Sequence, residues 1–264
     1  MVKVAARCDD PAVDDDVLTA LAAQDQELDD LVRDLDGAGL ATPSRCPGWS
    51  VADVLLHLAQ SNEMAVASVT GRWEAALESR ALRMAAARPA NVDELAAVMV
   101  EIDRAEPEAS RARWQASVAA VEAALAEADP AARVPWVAGE LAARTLATTR
   151  LAEAWIHTVD VAVGLGIEVA PTDRLWHIAR LAWRTVPYAL AQDGQEPAGA
   201  VRFALTGPTG DRWDFGPDEA TTVITGPASD LCAVAGQRLS ASDTALRGEG
   251  PDADAVLRLV RTFA

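Results

Sequence analysis

The sequence has little of what crosslinks a protein or carries it through a membrane. Its 264 residues include three cysteines, Cys8, Cys46 and Cys232, which are scattered and leave an odd one over. A disulfide framework or a zinc site of paired cysteines is therefore disfavoured, and a reducing compartment, the cytoplasm, fits better. No basic segment precedes an apolar run at the start, which argues against a signal peptide. No apolar stretch approaches the roughly 18 residues of a membrane span.

Aromatic residues other than tryptophan and positive charges are also scarce. One Tyr and three Phe stand against eight Trp, and half of all residues are hydrophobic. The dominance of alanine and leucine favours long helices and allows a sizeable core. Because 40 Asp and Glu outnumber 23 Lys and Arg, the net charge is −17. Such a surface repels nucleic acid and anionic lipid, so we expect no nucleic-acid or membrane partner. The charge by itself says nothing about the substrate. We expect a small-molecule substrate and a monomer or homodimer.

Apolar residues recur at helical spacing through most of the first 193 residues. The spacing predicts helices over 13–36, 50–64, 73–84, 93–128, 139–165 and 173–191, with Pro107 interrupting the fourth. Ser50 followed by Asp53 predicts a capping box at the start of the second helix. The fifth helix is apolar nearly all round and belongs at the centre of a bundle. We therefore expect residues 1–193 to form a helical bundle, with sheet appearing only after Gly199.

The pattern of apolar residues changes after Asp193. The segment 194–199, GQEPAG, is typical of a linker, and apolar residues then alternate at the period of a strand. Strands are predicted at 201–205, 213–215, 221–225 and 244–247, and helices at 229–239 and 252–263. The sequence thus predicts a small C-terminal α+β domain over residues 199–264, attached to a helical domain over residues 1–193.

Polar side chains gather on one side of the predicted central helix. At about 100° per residue, one sector of helix 139–165 carries four of them: Arg150, Glu153, His157 and Asp160. Burying a guanidinium, a carboxylate and an imidazole together is costly unless they pair or hold a metal. Of the other two histidines, His57 also lies inside a helix that we predict to be buried, and His177 lies in the helix that follows.

A metal site is one interpretation of this cluster. Glu153 and His157 are four residues apart and therefore neighbours on the helix, and His57 is the natural third ligand. Two imidazoles and one carboxylate would form an open, catalytic site of the zinc type. Arg150 would add positive potential for an anionic substrate.

Other interpretations of the same residues remain open. Glu153 can simply hydrogen-bond to His157 or form a helix ion pair with Arg150. Asp160 is either a partner that orients His157 or an ordinary salt-bridge or capping residue. We expect Cys46, in a loop before a proline, to be structural rather than nucleophilic. Three tryptophans are candidates for either a pocket or the core: Trp49, Trp136 and Trp155.

Two segments carry a resemblance to a known family. Residues 46–58, CPGWSVADVLLHL, are similar to the opening C-P-G-W-T-V-x-D-L-x-x-H-L of the mycothiol-dependent maleylpyruvate isomerase family. That family is part of the DinB-like metalloprotein superfamily. Residues 150–166, RLAEAWIHTVDVAVGLG, resemble its segment E-x-x-I-H-x-x-D-V-x-x-A-L-G, and residues 226–232 resemble part of its small α/β domain. Ser50 and Gly164 depart from the patterns, but neither is a ligand position.

The resemblance implies a mainly α fold, a DinB-like four-helix bundle with a small C-terminal α+β domain. It also implies a divalent metal, most often zinc, held by His57, Glu153 and His157. In that family the metal activates a low-molecular-weight thiol such as mycothiol, and an arginine of the C-terminal domain takes part. Arg238 is the nearest match to that arginine and, with Arg150 and Asp160, completes the candidate catalytic residues.

The resemblance therefore implies an enzyme of thiol S-transfer or of thiol-assisted isomerisation, acting on a small organic substrate. The sequence leaves two other classes open. One is a metal-dependent hydrolase, lyase or biosynthetic enzyme that uses the metal as a Lewis acid without a thiol. The other is a protein that binds a metal or small molecule without turnover. Residues 74–129 contain no motif that chooses among them.

Overall fold

The computed structural model describes residues 17–84, 87, 89, 91–137 and 139–262. Cys8 and the first residues of the predicted helix 13–36 lie outside this range. The helices are α1 (Val17–Val32), α2 (Gly37–Leu40), α3 (Val51–Val69), α4 (Trp73–Arg83), α5 (Val92–Asp103), α6 (Pro107–Glu127), α7 (Ala143–Leu165), α8 (Leu175–Gln192), α9 (Ala228–Ala235) and α10 (Ala253–Leu259). The strands are β1 (Arg133–Val134), β2 (Leu141–Ala142), β3 (Val201–Thr206), β4 (Arg212–Phe215), β5 (Thr222–Pro227) and β6 (Arg247–Glu249).

Four long helices form the bundle. They close a ring in which α1 packs on α7, α7 on α3, α3 on α6 and α6 on α1, while α4 and α5 lie against α3. The mainly α fold with a small sheet that the sequence predicts is confirmed. No helix among the described residues is both long enough and apolar enough to span a membrane.

Local sequence signals set the ends of the bundle helices. The capping box at α3 is confirmed, because Ser50 Oγ accepts from the Asp53 backbone N–H at 3.2 Å and Asp53 Oδ2 accepts from the Ser50 backbone N–H at 3.0 Å. Pro107 is the first residue of α6, a position where its missing N–H costs nothing. Gly166 ends α7 in the left-handed conformation, with φ of 69°.

A small hairpin corrects the expectation that sheet appears only after Gly199. The helix predicted from Gly139 begins at Ala143, because Leu141 and Ala142 pair with β1 as a two-stranded antiparallel sheet. Between the strands, Trp136 and Gly139 exchange both of their backbone hydrogen bonds, at 3.0 and 3.1 Å. Gly139 adopts a φ of 110°, which an L-residue rarely accepts, so the chain turns back here instead of continuing as helix.

The C-terminal sheet has the strand order β4-β3-β5-β6. β4 runs antiparallel to β3, β5 runs parallel to β3, and β6 runs antiparallel to β5. Phe203 of β3 lies opposite both Phe215 and Ile224, so the buried face of the sheet is aromatic and aliphatic. The fourth strand lies at 247–249 rather than at the predicted 244–247, because a 3₁₀ turn at Ala241–Asp243 delays it.

Helix α8 joins the sheet to the bundle. It packs on α7 on one side and on α9, α10, β3 and β4 on the other. One hydrophobic core cluster therefore runs from Leu21 of α1 through Leu151 and Ile178 to Phe203 and Leu231. The division into domains at 1–193 and 199–264 stays a prediction.

One acidic residue lies inside the bundle. Asp25 of α1 is 4% exposed, occupies the same face as Leu21 and Leu28, and its Oδ2 finds no hydrogen-bond partner among the described residues. Burial, together with the negative charge of Glu122 on α6, raises the pKa of Asp25 to about 8, although the positive charge of Arg150 on α7 opposes the rise. Asp25 is therefore largely protonated in the folded protein at neutral pH.

Asp25 should make the fold less stable as the pH rises. Its folded-state pKa of about 8 exceeds the ordinary value of 3.8 for an aspartate, so its contribution to stability is fully present below about pH 4 and is lost as the pH rises towards 8. Asp25→Asn removes this dependence. We expect its unfolding free energy, relative to the native protein, to grow by up to about 1.4 kcal/mol per pH unit between pH 4 and 8 and then to level off.

Urea unfolding of both proteins at pH 4, 6, 8 and 9 measures the difference. Asp34→Asn, which removes a carboxyl from the exposed surface just past α1, controls for the loss of one negative charge. A difference between Asp25→Asn and the native protein that stays constant with pH would show that Asp25 is ionised in the folded state.

Candidate metal and thiol site

The three predicted ligands meet at the interface of α3 and α7. His57 Nε2 lies 3.4 Å from Glu153 Oε2, and His157 Nε2 lies 3.8 Å from the same oxygen. The two imidazole rings are 4.9 Å apart at an edge-to-face angle of 74°. One ligand atom from each of the three residues falls within 4.8 Å of the others. The structure thus brings together His57, Glu153 and His157, the residues that the sequence predicts to hold a metal; their ligation itself stays a prediction.

The protonation states of this triad suit a cation. Burial lowers the pKa of His57, although its hydrogen bond to Glu153 opposes the shift, so its ring is neutral at pH 7. Burial by itself would raise the pKa of Glu153, but the hydrogen bond to His57 and the charge of Arg150 outweigh it. The pKa of Glu153 therefore lies well below its usual range, and the carboxylate is ionised.

Asp160 fixes the orientation of His157. Its Oδ2 lies 3.0 Å from His157 Nδ1, and because an ionised carboxylate can only accept, Nδ1 is the donor and Nε2 is the ring nitrogen that faces Glu153. Arg238 donates from Nε to Oδ1 at 2.7 Å and from Nη2 to Oδ2 at 2.6 Å. Burial would raise the pKa of Asp160, but its hydrogen bonds to His157 and Arg238 hold that pKa well below the ordinary value.

The backbone before Arg238 turns sharply to make this contact. Gln237 has a φ of 59°, the one positive φ of a non-glycine residue in the described part of the chain. A left-handed residue other than glycine costs roughly 1–2 kcal/mol. Helix α9 ends two residues earlier, so this turn directs the Arg238 side chain from the C-terminal domain onto the bundle.

The loop that carries Cys46 closes over the same carboxylate. Cys46 Sγ donates to Asp160 Oδ2 at 3.2 Å, and the Arg45 backbone N–H donates to the Asp160 carbonyl at 3.0 Å. Burial and the charge of Asp160 raise the pKa of the Cys46 thiol to about 12. A thiol with that pKa is a poor nucleophile at neutral pH, which agrees with the structural role expected for it.

The close approach of a loop accounts for glycine at position 164, where this chain departs from the family pattern. A Cβ atom at this position would lie 2.4 Å from the Pro43 carbonyl oxygen and 2.8 Å from Ser44 Cα. Both are backbone atoms of the loop that leads to Cys46, so the close approach of that loop to α7 requires glycine.

The triad opens into a cavity of about 820 Å³. The cavity lies between α3, α4, α5, α7 and α8 and reaches the C-terminal domain at Arg238 and Thr262. Trp49 and Trp136 line it, as the pocket interpretation of these residues predicts, whereas Trp155 is not part of its wall. His177 lies outside the triad and contacts Trp176 edge-on, with ring centroids 5.2 Å apart.

Several residues of the cavity could not be predicted from the sequence. Trp73, Leu77 and Arg80 come from α4, in a region without a recognisable motif, and nothing in the sequence singles them out. Asp25 lies inside the bundle and does not line the cavity, and the sequence could have indicated it, because it interrupts the apolar stripe of α1 between Leu21 and Leu28.

The chemistry of His57, Glu153 and His157 is suited to a metal ion. Two imidazoles and one ionised carboxylate converge, and Nδ1 of His157 is hydrogen-bonded to a second carboxylate, that of Asp160. This is the arrangement that catalytic zinc sites use, with three protein ligands and an open position. A second group, Cys46, His157 and Asp160, also lies within 4.8 Å. Because Arg238 occupies both oxygens of Asp160, that group is less suited to a cation.

Comparison with known proteins adds independent findings. The family model described as the mycothiol maleylpyruvate isomerase N-terminal domain matches residues 21–162. Two uncharacterized proteins of Mycobacterium tuberculosis, from strains CDC 1551 and H37Rv, are each 32% identical to the chain over 246 residues, which is 92% of this chain and 93% of theirs.

Solved structures give the same fold. The crystal structure of a mycothiol-dependent maleylpyruvate isomerase superimposes with a TM-score of 0.57 over 89% of this chain and 95% of that chain, at 19% identity. A mutant of that enzyme with one histidine replaced by alanine matches equally well.

Proposed function

The chain belongs to the mycothiol maleylpyruvate isomerase family, and we propose that it is a divalent-metal-dependent enzyme that activates a low-molecular-weight thiol such as mycothiol. The thiol would serve in S-transfer to, or isomerisation of, a small organic substrate. The observation that carries this proposal is the convergence of His57, Glu153 and His157 on the wall of a large cavity.

His57, Glu153 and His157 would hold the metal, most often zinc in such a donor set. The ion, when bound, lowers the pKa of a thiol beside it, so that thiolate is available near neutral pH. Glu153 contributes one negative charge, so the site keeps a positive charge that favours an anionic partner.

Asp160 and Arg238 act as positioning residues in this proposal. Asp160 keeps the proton of His157 on Nδ1, and Arg238 offsets the charge of Asp160. Since Arg238 comes from the C-terminal domain, the orientation of His157 depends on how that domain docks. Trp49 packs beside His57, with ring centroids 5.2 Å apart.

The thiol chemistry needs no oxidant. The thiolate sulfur bonds to one carbon of a double bond that a carbonyl activates, and the electron pair moves onto the carbonyl oxygen. The carbon–carbon bond is then single and rotates. Expulsion of the thiolate restores the double bond in the other geometry, so the thiol is not consumed.

The first test is metal content. Elemental analysis of the purified protein should find close to one divalent ion per chain, and His57→Ala and His157→Ala should each lose it, because two remaining ligands hold such an ion weakly. His177→Gln, which alters the histidine outside the triad, is the matched control and should keep the ion. Full metal occupancy in both alanine variants would contradict the assignment of His57 and His157 as ligands.

The second test is thiol binding. We expect mycothiol to bind zinc-loaded protein at least tenfold more tightly than chelator-treated protein, because only the loaded triad stabilises the thiolate. Binding should release close to one proton near pH 7. Calorimetry in buffers of different ionisation enthalpy measures both quantities.

S-methyl mycothiol is the control for this experiment, since it keeps the body of the ligand but has no thiol proton to release. Equal affinity of mycothiol for loaded and metal-free protein, or no binding to either, would favour a water-activating or non-catalytic role instead.

A further inference from the structure

The wall of the cavity is positive in an otherwise strongly acidic protein. The chain has a net charge of −17, yet among the described residues that line the cavity Glu153 is the single carboxylate. Three arginines also line the cavity: Arg80, Arg150 and Arg238. Asp160 neutralises Arg238 from behind, and Glu153 belongs to the triad. Among the described residues neither Arg80 nor Arg150 forms a direct ion pair, although the charge of Glu153 acts on Arg150 from a greater distance.

Arg150 is a buried cation that makes no direct contact with a carboxylate of the described residues. It is 3% exposed and forms no ion pair within the described parts of the chain. Its guanidinium lies over the Trp136 ring at 4.9 Å from the centroid and donates from Nη1 to Ser61 Oγ. Its Nε is buried and has no hydrogen-bond partner among the described residues. A buried, half-satisfied guanidinium is costly, and an anion in the cavity would offset that cost.

Arg80 reaches the same turn of α3 from α4. Its Nη2 donates to the Gln60 carbonyl oxygen at 2.6 Å, next to the residue that Arg150 contacts. It likewise forms no ion pair with a described carboxylate. Burial lowers the pKa of Arg80 to about 10, as for a guanidinium that has lost water without gaining a full counter-charge, and it stays positive at neutral pH.

Helix geometry fixes the distance of this pair from the triad. Ser61 follows His57 by four residues on α3, a rise of about 6 Å, and Arg150 precedes Glu153 by three residues on α7, a rise of about 4.5 Å. The two arginines thus lie about one helical turn from the triad. Apolar side chains extend the wall around them: Met64, Trp73, Leu77 and Trp136. Trp73 and Trp136 form part of it as a tilted pair, with centroids 5.6 Å apart.

We propose that Arg80 and Arg150 form an anion subsite that binds the carboxylate or phosphate group of a substrate with an apolar, aromatic-sized body. The body packs along the tryptophan wall, and the anionic group lies about one helical turn from the triad. The inference rests on the proposed function only in placing the reacting end of the substrate at the triad. The anion subsite itself requires neither metal nor thiol.

The experiment compares three ligands of one shape by calorimetry on the full chain: 2-naphthoate, 2-naphthyl phosphate and neutral 2-naphthamide. We expect at least one of the two anions to bind tenfold or more tightly than the amide, and the tighter of the two identifies the anionic group. Arg80→Met and Arg150→Met should each remove most of this preference while leaving the amide affinity within about twofold. Arg258→Met, at an exposed arginine that does not line the cavity, should change nothing.

Measurements with and without zinc separate the subsite from the triad. Preference for the anion should persist in chelator-treated protein. If it vanishes there but survives in both arginine variants, the anion binds at the triad and the subsite is refuted. Equal affinity of all three ligands for the unmodified protein would also refute the anion subsite. This outcome does not depend on whether the arginine variants fold. Arginine-dependent anion binding in a protein that takes up no zinc or thiol would leave the subsite standing and the proposed function refuted.

Discussion

The carboxylate of Asp160 is the point on which the site depends. It is fully buried, and an ionised carboxylate in that position is stable only if its oxygens are well bonded. Arg238 supplies two charge-assisted hydrogen bonds, His157 a third and the Cys46 thiol a fourth. These partners come from the C-terminal domain, the central helix and the loop before α3. One buried charge thereby fastens three parts of the chain and sets the tautomer of His157.

The charge around the cavity likewise depends on which buried groups have partners. The chain as a whole is acidic, whereas the described residues that line the cavity include three arginines and one carboxylate. Arg150 is buried against Trp136 with a hydroxyl as its hydrogen-bonding partner, and Asp25 behind it is mostly protonated at neutral pH. Because Asp25 is protonated, it provides no negative charge to balance Arg150. The cavity is consequently prepared for a ligand that brings its own negative charge.

The sequence predicted what depends on local pattern and on helix geometry. The capping box at Ser50 and the shared sector of Arg150, Glu153 and His157 are one-dimensional signals, and the structure bears both out. The hairpin at β1 and β2 could not be predicted, because two strands of two residues leave no periodicity. The contact of Arg80 with Gln60 depends on how α4 folds back on α3, which no short spacing encodes. Asp25 could have been recognised as a polar break in an apolar stripe.

The central claim is that the two imidazoles and Glu153 hold the ion while Cys46 stays bonded to Asp160. X-ray absorption at the zinc edge, on zinc-loaded protein without added thiol, tests this most directly. We expect the nearest neighbours of the zinc to be nitrogen and oxygen only, with the longer-range scattering pattern of two imidazole rings. A sulfur neighbour at about 2.3 Å would place Cys46 on the metal and contradict the account, as would a spectrum without imidazole scattering.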